Sequence, residues 1–339
     1  MPPAGSLAVA RRLAALLGTE AATLGVSTLH FFWDLGSQLR RRPVRILADE
    51  HLYPVGRWGI ERAAGAGVPA VDFRHQDAES LRRRLEARAS RRIPSLVPVV
   101  ITDGLCPDCG RVPPLGRYLE LAEQHGGWLL VDDSQALGLL GRNPGPGRPY
   151  GTGGGGSPAF LGISSPRLLL LSSLAKGFGA PLAVLAGSAA AVRSFERQSE
   201  TLIYSSPPSV ASIRAAEAAL SINRERGDGL RVRLAERVVR FRARLQELGL
   251  IASGGLSPVQ NLEIPAGVDP LALYRQLGAS GIRTVLRQGR CRPGPLITFL
   301  LRADHTAGEI DQAVTSIARL VWRSRRSSHE RMEIRSHSR

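Results

Sequence analysis

Apolar residues along this chain gather in short runs separated by stretches of helical periodicity. Residues 22–27, 44–50, 70–75, 96–104, 128–133, 167–173 and 183–188 form the β-rich apolar runs, each of a length and composition that suits a strand. Seven strands alternating with helices predict an α/β fold: a seven-stranded, mostly parallel sheet flanked by helices, with its site at the carboxyl ends of the strands. Residues 7–17 are apolar on one face but carry Arg11 and Arg12 in the middle, which breaks a signal-peptide core and predicts an amphipathic first helix.

Beyond about residue 207 the pattern changes. Helices are expected over 209–223 and 230–248, joined by a short polar turn at 224–229, followed by a smaller α+β unit. That unit reads as a strand at 259–264, a helix at 270–277, strands at 283–287 and 296–302, and a helix at 307–323. The expected organisation is therefore a large domain over 1–206, a helical connection and small C-terminal domain over 207–322, and a basic disordered tail over 323–339. The Gly/Pro-rich segment 144–158 contains Gly151-Thr152-Gly153-Gly154-Gly155-Gly156. It matches a dinucleotide fingerprint in form, but it follows a proline-rich stretch and precedes no predicted helix, so it reads as a flexible loop.

Composition narrows the function. No run of eighteen apolar residues occurs, so no membrane-spanning helix is expected. Three cysteines cannot build a disulfide framework, which fits a cytoplasmic protein. Cys106-Pro107-Asp108-Cys109 has redox or zinc spacing, yet no second close pair accompanies it and Cys291 stands alone, so no metal site is expected. The formal charge of +16 admits nucleic acid as a partner. The arginines cluster at 82–92, 224–244 and 323–339, without interleaved aromatics that would stack bases, and read as two solvated helix faces and a tail.

One residue stands apart. Lys176 is the only lysine among 45 basic residues. In a chain that uses arginine everywhere else, a surviving primary amine suggests chemistry that a guanidinium cannot perform, such as attack on a carbonyl to form a Schiff base. It lies in Ser172-Ser173-Leu174-Ala175-Lys176-Gly177-Phe178-Gly179, just past the apolar run 168–171. Pyridoxal phosphate sets the strictest list of companions for such a lysine: an acid for the pyridine nitrogen, a flat group over the ring, and hydroxyls or amides for the phosphate. Asp132 and Asp133 end the strand 128–133 and supply the acid; a helix N-cap role suits Asp133 better than Asp132.

The segments 131–141, 172–179, 102–115 and 204–208 resemble fold type I pyridoxal-phosphate enzymes, and among these the α-oxoamine synthases. Similarity runs from about Leu7 to Leu320. The resemblance implies a Schiff base between Lys176 and pyridoxal 5′-phosphate, with Asp132 at the pyridine nitrogen and Ser173, Ser27 and Thr28 at the phosphate. It also implies that Ser206 reaches the phosphate of a neighbouring subunit, hence a homodimer. Tyr53 stands where the family stacks a histidine on the ring, and Gln135 where it bonds the cofactor's phenolic oxygen through a histidine. Ala175 replaces the serine before the lysine. The arginine that pairs with the substrate carboxylate aligns with Leu296, with Thr298 on the same run; Arg287, Arg290 and Arg292 precede it and are candidates to rebuild that contact. The N-terminal stretch that precedes the family's first helix has no counterpart.

These readings favour a transferase that acts on a small-molecule amine or amino acid, with an acyl thioester as second substrate in the synthase reaction. An aminotransferase of the same fold is the alternative within the class. A non-catalytic descendant serving as a binding module is the alternative outside it. Neither nucleic acid nor membrane is an expected partner.

Overall fold

A computed structural model describes the backbone of residues 3–87 and 96–337 and the side chains of those up to residue 324. Residues 88–92 of the first basic run and the side chains beyond 324 in the last one lie outside the described residues. The chain divides into two compact units, Met1–Cys106 with Val112–Asp228, and Pro107–Arg111 with Gly229–Arg339.

The first unit opens with α1 (Ser6–Leu17), β1 (Ala21–Gly25), α2 (Thr28–Leu39), β2 (Val44–Asp49), α3 (Pro54–Gly65), β3 (Ala70–Phe73) and α4 (Ala78–Glu86). It continues through β4 (Val97–Asp103), α5 (Leu115–Gln124), β5 (Trp128–Asp132), α6 (Gly156–Leu161), β6 (Leu168–Ser173), β7 (Ala183–Gly187), α7 (Ala189–Gln198), α8 (Glu200–Tyr204) and the part of α9 (Val210–Glu247) up to Asp228, the rest of which belongs to the second unit. The strands form one seven-stranded sheet in the order β1-β7-β6-β5-β4-β2-β3. Neighbours from β3 through β6 run parallel, whereas β7 is antiparallel to both β6 and β1.

Alternation along the strands sends successive side chains to opposite faces. Leu47, Val100, Leu129, Val131 and Leu170 pack on one side with Leu13 of α1, Leu81 of α4, Tyr118 of α5 and Ile213 of α9. Ile46, Val99, Ile101, Leu130 and Leu171 pack on the other with Phe31 and Phe32 of α2, Ile60 of α3 and Phe195 of α7. Both faces are thus covered, which is why these strands read as nearly continuous apolar runs. All seven expected strands are present, each within a residue or two of its expected ends.

The second unit contains β8 (Ala252–Ser253), β9 (Val259–Leu262), α10 (Pro270–Ala279), β10 (Val285–Gly289), β11 (Gly294–Leu300) and α11 (Ala307–His337). Its antiparallel sheet has the order β10-β11-β9-β8. Leu262, Ile297 and Phe299 pack with Phe241, Leu273 and Ile317 in its core.

Three expectations are corrected. The polar turn at 224–229 does not exist, because α9 is continuous through it. Asn223 and Asp228, which in a turn would bond their own backbone, bond Gly153 instead: Asn223 Nδ2 donates to its carbonyl at 2.8 Å and its amide donates to Asp228 Oδ1 at 2.8 Å. With both side chains occupied elsewhere, nothing competes with the helical ladder and the glycines cost only about 1 kcal/mol each. The segment 144–158 is a structured loop that leads into α6. Bridges pair Leu137 with Gly155, Arg142 with Thr152 and Gly145 with Arg148. Lastly, residues 323–337 continue α11 and do not form the expected disordered tail; the run has neither glycine nor proline to stop a helix.

Candidate functional site

Lys176 lies in the turn after β6 and is exposed. Beside β6 in the sheet runs β5, with Asp132 paired in register with Leu171. Asp132 is 6% exposed. Burial raises its pKa above the ordinary carboxylate value, while hydrogen bonds from Ser134 and the positive charge of Lys176 act in the opposite direction. Two adjacent strand ends thus bring the sole lysine into electrostatic range of a buried acid.

Ser134 holds this arrangement together. Its hydroxyl donates to Asp132 Oδ1 at 2.5 Å, its amide donates to the same oxygen at 3.0 Å, and the hydroxyl accepts the Ser173 amide at 2.9 Å. One side chain therefore fixes the Asp132 carboxylate to the end of β6, three residues before the lysine. Sequence reasoning missed Ser134. Its only signal was its place, two residues past the acid, where a short hydroxyl closes a turn onto a carboxylate.

Asp133 faces a different partner. It is fully buried and accepts the Ser157 amide at 3.0 Å together with the Ser157 hydroxyl. Ser157 sits in the first turn of α6, so Asp133 does cap a helix, although one that starts more than twenty residues further along the chain. Burial pushes its pKa up to about 7, helped by the neighbouring Asp132 charge. The space around it admits only glycine at two positions. A Cβ on Gly104 would come 2.0 Å from Asp133 Oδ1, and one on Gly156, where φ is +89°, would come 1.8 Å from Oδ2.

Tyr53 precedes α3 and is 38% exposed. Its amide donates to the Asp103 carboxylate at 3.1 Å, and Asp103 pairs in register with Asp132 across β4 and β5. Tyr53 is thereby anchored to the strand next to the one that carries the acid. Asp103 is a second residue that the sequence reading did not single out.

Ser27 and Thr28 lie where β1 gives way to α2. Ser27 is the N-cap residue, but its hydroxyl lies 2.8 Å from His30 Nδ1 and makes no side-chain cap bond. The amides of the first turn of α2 thus have no cap from Ser27, and a helix start with spare amides is an anion site. Gly25 at the end of β1 and Ser173 at the end of β6 both pair with Ala183 of β7, so the start of α2 and the Ser173 hydroxyl lie at one end of the sheet. Gln135 is half-buried in the turn after Asp132. Ser206 is exposed, in a segment where Ile203 is 55% and Tyr204 85% exposed.

In the second unit Leu296 is buried and so is Thr298. Arg287 forms an ion pair with Asp108 at 2.6 Å, and its guanidinium donates to Thr298 Oγ1 at 3.0 Å and Asn261 Oδ1 at 2.9 Å. Arg292 pairs with Glu263 at 2.6 Å. The Arg290 amide donates to Asp108 at 2.7 Å. Two of the three arginines considered for a carboxylate contact are therefore engaged by acids of their own unit.

Comparison with known proteins agrees with this chemistry. The sequence profile of the family described as "Aminotransferase class I and II" matches residues 2–317. The chain is 31% identical over 311 residues to 8-amino-7-oxononanoate synthase of Sodalis glossinidius, a match that covers 91% of this chain and 74% of that protein. It is likewise 31% identical over 323 residues to the synthase of Halorhodospira halophila, with 92% and 73% covered. Matches to several other synthases span only 60% to 63% of those proteins' own length. Among solved structures, Sphingomonas wittichii serine palmitoyltransferase superposes with a TM-score of 0.80 at 18% identity, over 94% of this chain and 77% of that one. The 8-amino-7-oxononanoate synthase of Francisella tularensis gives 0.74 at 19%, over 94% and 88%. With the sole lysine just past the strand beside the one that ends in a buried acid, and sequence similarity along nearly its whole length, the chain belongs to the class I and II aminotransferase family of pyridoxal-phosphate-dependent transferases, on its α-oxoamine synthase branch.

Proposed function

We propose that this chain transfers an acyl group from a thioester to the α-carbon of an amino substrate, as a homodimer that uses pyridoxal phosphate bound through Lys176. One observation carries the reading: the sole lysine follows the strand beside the one that ends in buried Asp132. When bound, pyridoxal phosphate supplies an electron sink for charge that develops at the substrate α-carbon. Asp132 would keep a proton at the pyridine nitrogen, with Ser134 fixing the carboxylate. The first-turn amides of α2, with Ser27, Thr28 and Ser173, would hold the phosphate. Tyr53 would cover the ring and Gln135 would donate to the phenolic oxygen. The Lys176 amine would be the base that takes the α-proton.

The exposed segment around Tyr204 and Ser206 supports the dimer, because large apolar surface at 55% and 85% exposure suits an interface. Leu296 carries no charge, and Arg287 and Arg292 are already paired, so ordinary α-carboxylates should be weakly recognised at the family's position.

The test has two stages. Borohydride reduction of the cofactor-loaded protein, followed by peptide mapping, should place the cofactor on Lys176, and Lys176→Arg should abolish the adduct because guanidinium is not nucleophilic at neutral pH. Thiol release should then require both an amino substrate and an acyl thioester. An adduct retained in Lys176→Arg removes the Schiff-base reading. A keto product formed from the amine, with no thiol release from any thioester, removes acyl transfer in favour of transamination.

A further inference from the structure

We propose that the first unit carries a second small-molecule site, an apolar cavity beneath α2 and α7 that binds a medium-chain alkyl carboxylate with its head group on Arg42. The cavity holds about 290 Å³, at the small end of the range for ligand sites.

Its floor follows from the register of the sheet. Val44 pairs with Val97, Val99 with Trp128, and Leu130 with Leu169. Directly opposed residues share a face, so one face is apolar without interruption across β2, β4, β5 and β6. Deeper along the strands this face is sealed, with Ile46, Ile101 and Leu171 at most 2% exposed. At the strand starts Val97, Trp128 and Leu169 are only half-buried. The roof has helical spacing: Leu35 and Leu39 line it from α2, Ala191 and Phe195 from α7. Gln38 Nε2 donates to the Phe195 carbonyl at 3.1 Å, which ties the two helices together and keeps the gap beneath them from collapsing. Apolar walls without facing atoms forfeit dispersion contacts, and a hydrocarbon chain restores them.

Arg42 is the one charged side chain in the lining, and it is exposed, so the charge stands at the mouth. Its guanidinium donates to Ser194 Oγ at 3.1 Å, and among the described residues no acid pairs with it. A guanidinium presents five N–H donors in a planar fork that suits a carboxylate, so most of that capacity is left for a ligand. An amphiphile with one anionic end satisfies both halves of the site. A cationic head would be repelled, and a sugar or nucleotide would bury hydroxyls against valine, leucine and phenylalanine without partners.

The cavity is separate from the Lys176 chemistry. Trp128 begins β5 and Asp132 ends it, which sets the floor at the opposite end of the strands, roughly 13 Å from the acid.

The test is calorimetric titration of the cofactor-loaded protein with decanoate below its micellar concentration, with decyltrimethylammonium as the head-group control. Decanoate should bind saturably, and octanoate and hexanoate progressively more weakly, by about fourfold for each methylene removed. Arg42→Glu should weaken decanoate by about fivefold or more and favour the cationic amphiphile instead. Ala191→Phe, which fills the gap, should abolish saturable binding, while cofactor absorbance reports that each variant is folded. Because Arg42→Glu alters an exposed side chain, it keeps the test decisive if Ala191→Phe does not fold. Absence of saturable binding to the wild type overturns the proposal, as does a decanoate affinity that Arg42→Glu leaves unchanged. Decanoate binding that declines as protein concentration rises also overturns it, and assigns the cavity to a second copy of the chain.

Discussion

Two adjacent carboxylates, Asp132 and Asp133, leave the same strand end with opposite tasks. Asp132 sits against the lysine's charge and a serine hydroxyl, whereas Asp133 is enclosed by Ser157 and two glycines. Asp132→Asn should therefore cut turnover by orders of magnitude at full cofactor occupancy, since an amide cannot keep the pyridine protonated, and Asp133→Asn should be far milder. Steady-state rates at matched cofactor absorbance check this, and the reverse ranking would exchange the two roles. Asp133 should also write a pH signature into stability. Its folded pKa of about 7 lies above the ordinary carboxylate value of about 3.9, so the folded state holds the proton more tightly than the unfolded one. Its contribution to stability is present below the unfolded pKa and is lost as pH rises towards the folded pKa, by at most about 4 kcal/mol. Denaturant titrations from pH 4 to 7 should show the wild type losing ground to Asp133→Asn over that window. Parallel curves would place the proton elsewhere.

At the scale of elements, the sheet was legible because its strands are buried on both faces and carry few polar residues to blur the period. The acid and the lysine were legible through their positions at the ends of such strands. What the sequence concealed were contacts whose partners lie far along the chain. Asn223, Asp228 and the two glycines near them have the composition of a turn, yet their side chains serve the loop at Gly153. The Gly-rich loop resembled a nucleotide cradle, yet Gly156 is required beside a carboxylate. Ser134 has no distinguishing composition at all; its role appears only once β5 and β6 are neighbours. Cys291 is the extreme case, because nothing near it in sequence hints at Asp108.

For the whole molecule, the dimer proposal has a direct consequence. If Ser206 completes the partner's phosphate site, dilution should lower cofactor affinity as the dimer dissociates, and sedimentation should report a dimer at working concentrations. A stable monomer with full cofactor occupancy would reject it. No helix among the described residues is long and apolar enough to cross a membrane. The continuity of α9 reaches further than its local hydrogen bonds. A digestive enzyme that cuts after arginine must draw several residues of extended chain into its cleft, and Arg224 and Arg226 stand mid-helix, at the point where composition advertises an open hinge. Limited trypsin digestion mapped by mass spectrometry should leave both bonds intact among the early fragments. A chain so rich in cleavable arginine would thus keep these two bonds closed by helical geometry alone.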